Sequence, residues 1–277
     1  EFRKKLEEKL DKYMNWASYM NHSDNQISFF GDTNFDASNS LEHLKNYYYA
    51  VKIKKHYFNE KREYFKQLIS SGYIIIKKNA FKFIIDNGDA TGLDQPGHTH
   101  AALLSYEMSL FDQRFIVNSG VSTYENNHQR QFERSTKAHN TIELNSGNSQ
   151  QVWSSFRLAR RGKVKKRKIE HMNDQIEISS SHNGFSGQKN RIGEITHKRD
   201  WKIYRKQIEI IDTMYGEYKE AISRIYFHPS IKIKEDLTCI LPNNKKVKFE
   251  ISGGKFKLVD TFWYPKYNYR IKNLCLE

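Results

Sequence analysis

Hydrophobic residues recur at intervals of three and four over the first part of the chain, a spacing that predicts helices. The first apolar stripe consists of Phe2, Leu6, Leu10, Tyr13, Ala17 and Met20, and the second of Leu41, Leu44, Tyr48 and Val51. Asn39 and Glu42 have the spacing of a capping box at the start of the second helix. A third short helix is expected over about residues 60–70, with Gly72 beyond its end. Residues 1–70 are therefore predicted to be a helical segment.

The pattern changes to alternation after Gly72, which predicts strands. Two strands are expected around a turn at Lys78-Asn79, and the alternating residues 102–110 lead through a turn at Asp112-Gln113 into another short strand. Further alternating segments follow about every ten residues, which is typical of antiparallel sheets packed as a sandwich. The expected fold is α+β, with a helical segment over 1–70 and a large antiparallel β-sandwich over 71–277.

Charge and hydropathy narrow the classes of partner. Lys and Arg total 46 against 32 Asp and Glu, so the net charge of +14 is expected to attract a polyanion: an acidic polysaccharide, a nucleic acid or an anionic membrane face. Mean hydropathy is −0.82, and no apolar run is long enough to predict a membrane span. The 17 Tyr, 17 Phe and 4 Trp suit a sugar-binding surface or a tyrosine-rich β core.

Two cysteines and the first residues add little to the prediction. Cys239 and Cys275 permit one disulfide without requiring it. The chain starts at Glu1 with neither Met nor an apolar signal stretch, so it is expected to be an internal fragment or a processed product.

Two polar clusters interrupt the apolar strands. His98 and His100 flank Thr99, so on an extended backbone both imidazoles point to the same side. The second cluster is the segment Arg134-Ser-Thr-Lys-Ala-His139-Asn140-Thr141. Polar groups at the end of an apolar hairpin are costly to bury unless something binds them. The residues alone leave two interpretations open: a proton-transfer group beside a metal ligand, or solvent-facing histidines at a strand entrance.

Two features after the second cluster suit a glycan without requiring one. Trp153 is a candidate for stacking on a sugar ring, and a tryptophan of the core is the alternative. The run from Arg157 to Lys168 has eight basic residues in twelve. It suits an acidic glycan, an RNA or a solvated edge strand whose lysines prevent aggregation.

The Gly97-His-x-His turn and the Arg134…Ala138-His-Asn-Thr segment resemble the heparinase II/III-like family of polysaccharide lyases. The resemblance extends over roughly residues 5–230 and is strongest between Gly97 and Arg161. It implies a C-terminal β domain that follows an (α/α) toroid, with residues 1–70 as the tail of that toroid. It also implies that a companion tyrosine and a carboxylate-neutralising amide lie in the upstream toroid.

The resemblance assigns roles to the histidines and their neighbours. It implies that His98 is catalytic and that His100 and His139 bind a metal together with a carboxylate of the following strand, whose position is filled by Asn118 here. The expected cofactor is zinc or another divalent metal, or else none, because an amide oxygen is a poorer zinc ligand than a carboxylate. Glu107 is a candidate for the fourth ligand.

Other assignments carry explicit alternatives. Tyr124 is the local candidate for the companion tyrosine, although it could simply pack a loop against the sheet. Arg134 could hold a substrate carboxylate, although a lone arginine is more often structural. Ala102 departs from the family, in which an acidic residue is frequent at that position.

The function implied by the resemblance is cleavage of a uronic-acid-containing glycan by β-elimination, linked to bacterial surface polysaccharide. The expected location is the periplasm or cell envelope, and the expected partner is an acidic polysaccharide rather than a nucleic acid. Because Asn118 and Ala102 depart from the family pattern, a non-catalytic glycan-binding or scaffolding protein is the alternative.

Overall fold

The computed structural model describes residues 1–51, 62–89, 96–172, 174–187 and 193–277. The α-helices in these ranges are α1 (Phe2–Met20), α2 (Leu41–Val51) and α3 (His128–Arg134), and 3₁₀ turns span Pro96–His98 and Thr136–Ala138. The strands are β1 (Tyr64–Leu68), β2 (Tyr73–Lys77), β3 (Phe81–Asp86), β4 (Tyr106–Leu110), β5 (Gln113–Ile116), β6 (Ile142–Leu144), β7 (Val152–Trp153), β8 (Arg157–Leu158), β9 (Val164–Met172), β10 (Gln175–His182), β11 (Thr196–Ile203), β12 (Ile208–Tyr215), β13 (Ala221–Ser223), β14 (Ile225–Tyr226), β15 (Lys232–Ile233), β16 (Thr238–Ile240), β17 (Lys246–Lys248), β18 (Leu258–Lys266) and β19 (Tyr269–Leu276).

The first two predicted helices are present as α1 and α2. They pack together through a small cluster that includes Met14, Leu41 and Tyr48. The capping prediction is displaced by one residue, because the Ser40 hydroxyl, and not Asn39, accepts a hydrogen bond from the His43 N–H. None of the described helices is long and apolar enough to cross a membrane.

The predicted third helix is wrong over 64–68, where the chain forms strand β1; residues 60 and 61 lie outside the described residues. β1 pairs antiparallel with β2, and Phe65 packs against the main core. The turn between them ends at Gly72, which has φ +80°, and a Cβ there would lie 2.2 Å from the Cα of Gly88. Strand structure therefore begins ahead of residue 70, the predicted end of the helical segment.

Two antiparallel sheets form the predicted sandwich. One has the order β1-β2-β3-β4-β5, and the other has the order β12-β11-β10-β9. Their inner faces share one core, to which the first sheet contributes Ile74 and Phe83 and the second Ile178 and Trp201. The α+β architecture with a large antiparallel β-sandwich is therefore confirmed.

The hairpin of β4 and β5 carries the segment between the two polar clusters. Its turn is formed by Phe111 and Asp112, one residue before the predicted pair, and both have positive φ as a tight two-residue hairpin turn requires. Cys239 and Cys275 are both buried free thiols.

The connector between α1 and α2 positions the site. Met20, at the end of α1, packs on Ile75 and Ile84 on the outer face of the five-stranded sheet. The connector then runs to the turn at 96–98, where the Asp32 N–H donates to the carbonyl of His98 over 3.3 Å. Gly31 makes this approach possible, because it has φ +60° and a Cβ there would lie 2.6 Å from that carbonyl oxygen.

Candidate active site

The carboxylate of Asp32 organises the first polar cluster. Its Oδ2 lies 2.9 Å from His98 Nδ1, and its Oδ1 lies 2.8 Å from His100 Nε2. Arg130 of α3 donates to both oxygens as a bidentate partner. Burial alone would raise the pKa of Asp32, but hydrogen bonds from His100 and Arg130 outweigh it and hold this pKa well below its usual range. Asp32 is therefore a fixed negative charge behind the histidines.

His98 is held at one nitrogen and open at the other. Its side chain is 63% exposed, whereas that of Asp32 is almost completely buried. Because a carboxylate can only accept, the contact fixes the proton on Nδ1 and leaves the Nε2 lone pair as the basic position of an exposed ring. This arrangement suits a group that removes a proton from a bound molecule.

His100 and His139 come together as the sequence predicts, with 3.1 Å between His100 Nδ1 and His139 Nε2. The other nitrogen of each ring donates outward, from His100 to Asp32 and from His139 Nδ1 to the carbonyl of Ser135 over 2.7 Å. Burial, followed by the neighbouring His100, lowers the pKa of His139 to about 3. Burial also lowers the pKa of His100, although Asp32 opposes this. With both rings neutral, two lone pairs face each other, which is unfavourable unless a proton or a metal ion lies between them.

This pair fits part of a metal site. Nitrogens bound to one tetrahedral zinc ion lie about 3.3 Å apart, and each ligand imidazole usually donates its other N–H to a carboxylate or carbonyl. Within the described ranges, no cluster of three or more His, Cys, Asp and Glu side chains is arranged to hold a metal. A third ligand would have to be an amide oxygen or water.

Asn118 and Glu107, the candidates for further ligands, are engaged elsewhere. The Asn118 amide oxygen accepts from the backbone and side chain of Asn140, and its Nδ2 donates to the carbonyl of Phe29. The Glu107 carboxylate contacts His22 and accepts from the backbone N–H groups of Phe29 and Asn118. The Asn118 oxygen could bind a metal only by giving up its hydrogen bonds from Asn140. The Glu107 carboxylate holds the backbone at Phe29 and Asn118.

A second histidine pair, His182 and His197, has its hydrogen bonds satisfied within the protein. The Gly184 N–H donates to His182 Nδ1, so His182 Nε2 carries the proton and donates to His197 Nδ1 over 3.0 Å. His197 Nε2 then donates to Asp212 over 2.6 Å. Every donor here meets an acceptor with both rings neutral. The His100–His139 pair lacks this match.

Tyr124 and His98 both contact the ring of Phe156. The Tyr124 ring is 5.4 Å from that of Phe156, and Phe156 is 6.1 Å from the His98 ring. The Arg130 guanidinium lies 5.0 Å from the Tyr124 ring and 5.3 Å from the Phe156 ring. Burial, followed by a hydrogen bond with Tyr267, raises the pKa of Tyr124. The phenol therefore stays protonated at neutral pH.

Arg134 and Trp153, the two predicted substrate-binding residues, differ in burial. Arg134 is fully buried and donates to the carbonyls of Thr99, Trp153 and Ser154, so it holds loops together beneath the surface. Trp153 is 53% exposed, so it is not part of the core of this structure. The two residues meet only through the Trp153 backbone.

Asp32 and Arg130 are the functional candidates that sequence reasoning missed. Asp32 is more than sixty positions from the histidines that it contacts, and Arg130 is 98 positions from Asp32, and separations of that size leave no local pattern. The one available signal was Phe29-Phe30-Gly31 ahead of Asp32, an apolar pair and a glycine inside an otherwise polar connector.

The comparison with protein families decides the class of the chain. The sequence model described as "Heparinase II/III-like, C-terminal" matches residues 60–275. The chain belongs to the heparinase II/III-like family. The resemblance predicted from the two histidine segments is therefore confirmed. No curated protein matches the chain significantly.

Solved structures agree with the family at the level of the fold. A crystal structure of heparinase III superposes with a TM-score of 0.71 at 13% identity, covering 99% of this chain and 46% of that one. The heparinase III-BT4657 gene product gives 0.63 at 15%, covering 95% and 42%. A mutant of heparan sulfate lyase HepC from Pedobacter heparinus gives 0.62 at 15%, covering 93% and 42%. This heparinase II/III-like chain thus spans less than half the length of these structures.

Proposed function

We propose that this heparinase II/III-like chain takes part in cleaving an acidic, uronic-acid-containing glycan by β-elimination. Membership of the family supports a polysaccharide lyase-like protein. The observation that carries the reaction is the exposed His98 imidazole, whose Nδ1 is held by the buried Asp32 carboxylate.

The chemistry assigns separate tasks to two side chains. The C5 proton of a uronic acid is weakly acidic, so its removal needs a well-placed base. His98 Nε2 takes that proton, and Asp32 stabilises the imidazolium that results. Tyr124, whose raised pKa keeps it protonated, donates a proton to the departing O4 oxygen.

The glycan carboxylate must be neutralised by a group outside this arrangement. Arg130 is committed to Asp32 and Ser155, and Arg134 is buried against backbone carbonyls. The predicted clamp at Arg134 therefore gains no support from the geometry. The neutralising group is expected in the part of the lyase that lies beyond this chain's share of its relatives.

We assign the proposed cofactor, zinc or another divalent metal, to His100 and His139. The metal would supply the positive charge that their facing lone pairs need. His100 would thereby tie the turn that carries His98 to the segment around His139, so the contribution is structural.

The proposed setting is the periplasm or cell envelope of a bacterium, with a surface polysaccharide as the substrate. The alternative is a glycan-binding or scaffolding protein without turnover. It is favoured by Asn118, whose amide stands where the family resemblance implies a carboxylate and is engaged by Asn140.

The test compares full-length protein with its His98→Ala variant on a panel of uronic-acid polymers. β-Elimination leaves an unsaturated uronate, which absorbs in the ultraviolet. Lost absorbance with unchanged glycan affinity in the variant supports the lyase. Glycan binding without absorbance from any polymer, and weaker binding in the variant, contradicts the lyase and supports the binder.

A further inference from the structure

A surface groove beside the candidate active site carries an inference of its own. It has a volume of about 670 Å³ and is lined by Asn126, Asn127, His128, Gln131, Trp153 and Ser154. Its two walls are α3 with the residues just before it, and the segment that contains β7. Arg130, which holds Asp32 behind His98, lies between His128 and Gln131 on α3.

We propose that this groove is a subsite for an uncharged sugar residue of the glycan whose uronic acid meets His98. The inference rests on the proposed function in taking the ligand to be a glycan with a uronic acid at His98. It adds which chemical class of sugar is recognised beside the reacting unit.

The first support is the rigid presentation of Trp153. Trp153 is 53% exposed. Its carbonyl and that of Ser154 accept hydrogen bonds from the buried Arg134. The Ser155 carbonyl accepts two hydrogen bonds from the buried Arg130. The backbone under the indole is thus fixed at three consecutive residues. An exposed aromatic ring on a fixed backbone is a surface on which the apolar face of a pyranose can stack at little entropic cost.

The second support is the chemistry of the polar wall. The groove is lined by amides, an imidazole and a hydroxyl, with no Lys, Arg, Asp or Glu among the lining residues that the structure describes. Amides both donate and accept, as sugar hydroxyls and N-acetyl groups do. A site for a carboxylate or sulfate would be expected to contain an arginine or lysine.

The third support is that part of this wall is available to a ligand. The contact between Gln131 Nε2 and Asn126 Oδ1 is 3.5 Å long, at the limit of a hydrogen bond. Asn127, by contrast, uses its side-chain oxygen to cap α3 through the Arg130 N–H over 2.9 Å. Asn126 and Gln131 can therefore turn toward a sugar without opening α3.

The test is a titration of the full-length protein followed by the indole N–H resonance of Trp153, which Trp153→Phe identifies. The probes are cellotriose, maltotriose and chitotriose, each uncharged, and trigalacturonate as the anionic comparison, all at millimolar concentration. At least one neutral trisaccharide is expected to shift the resonance. Affinity is compared between variants by calorimetry, because the Trp153 variants lack the reporter resonance; it should weaken about tenfold in Trp153→Ala and also weaken in Gln131→Ala.

Tyr47→Ala, which removes an exposed aromatic ring on α2, is the matched control and should leave binding unchanged. If no neutral trisaccharide shifts the resonance, if only trigalacturonate does, or if neutral binding survives both groove substitutions, the proposal is overturned. Should Trp153→Ala fail to fold, Trp153→Phe and Gln131→Ala decide it. Trisaccharide binding without cleavage of any polymer would contradict the proposed lyase activity and support the subsite. Cleavage of a polymer without trisaccharide binding would support the lyase activity and contradict the subsite.

Discussion

Asp32 Oδ2 lies 2.9 Å from His98 Nδ1, although the two residues are 66 positions apart in the chain. A buried carboxylate on the connector between two helices thereby fixes the tautomer of an imidazole on the first turn before the β4 hairpin. The Asp32 side chain is itself buried, so Asp32 acts as a positioning residue.

Asp32→Asn is expected to lower kcat on the cleaved polymer at least tenfold while KM changes little, because the variant no longer fixes the basic nitrogen of His98. It should also lower the free energy of unfolding by about 3 kcal/mol, since Arg130 is left as a buried charge without its partner. Steady-state kinetics and urea unfolding measure the two effects. Asp36→Asn, in the same connector, is the control, and equal effects in both variants would contradict the positioning role.

Divalent metal is expected to stabilise the protein through the His100–His139 pair. Zinc should raise Tm by a few degrees, and a chelator should reverse the change, because an ion that binds only the folded state stabilises it by mass action. His139→Ala should abolish the response, whereas His128→Ala, at an exposed histidine, should keep it. Thermal unfolding with and without zinc and chelator measures this. An unchanged Tm in both solutions would remove the metal from the proposal.

Asp212 is expected to make stability sensitive to acid. Burial alone would raise its pKa, but the Arg199 guanidinium and His197 hold this pKa well below its usual range. The stabilisation is therefore present above about pH 4, the unfolded value, and is lost as the pH falls further. Asp212→Asn should cost about 3 to 5 kcal/mol at neutral pH and flatten this acid loss. Denaturant unfolding at pH 7 and pH 3 tests it, with exposed Asp260→Asn as control; parallel pH profiles would contradict it.

Gly31→Ala is expected to disturb the site more than the fold. The added methyl group would lie 2.6 Å from the carbonyl oxygen of His98, and Gly31 has φ +60°, so the 96–98 turn must move. Turnover should fall at least tenfold with a modest loss of Tm. Gly254→Ala, where an added Cβ meets nothing within 4 Å, should leave both unchanged. Full activity in Gly31→Ala would show that the position of the turn is not critical.

The sequence alone predicts the β-sandwich, because the alternation of apolar and polar residues in a strand is visible within a few neighbouring positions. It also brought His100 and His139 together through the family resemblance. It misled over 64–68, where apolar spacing alone did not separate a short strand from a helix, and pairing with β2 decided the outcome. Asp32 and Arg130 were out of reach because their roles arise from packing between distant segments.

The Arg130 guanidinium joins Asp32 to the carbonyl of Ser155. A guanidinium is planar and inflexible, so the positions of these two acceptors are coupled. A ligand that shifts the segment 153–155 would therefore also shift the carboxylate behind His98. By thermodynamic reciprocity, a substrate that orders His98 would alter the affinity of the groove by the same factor.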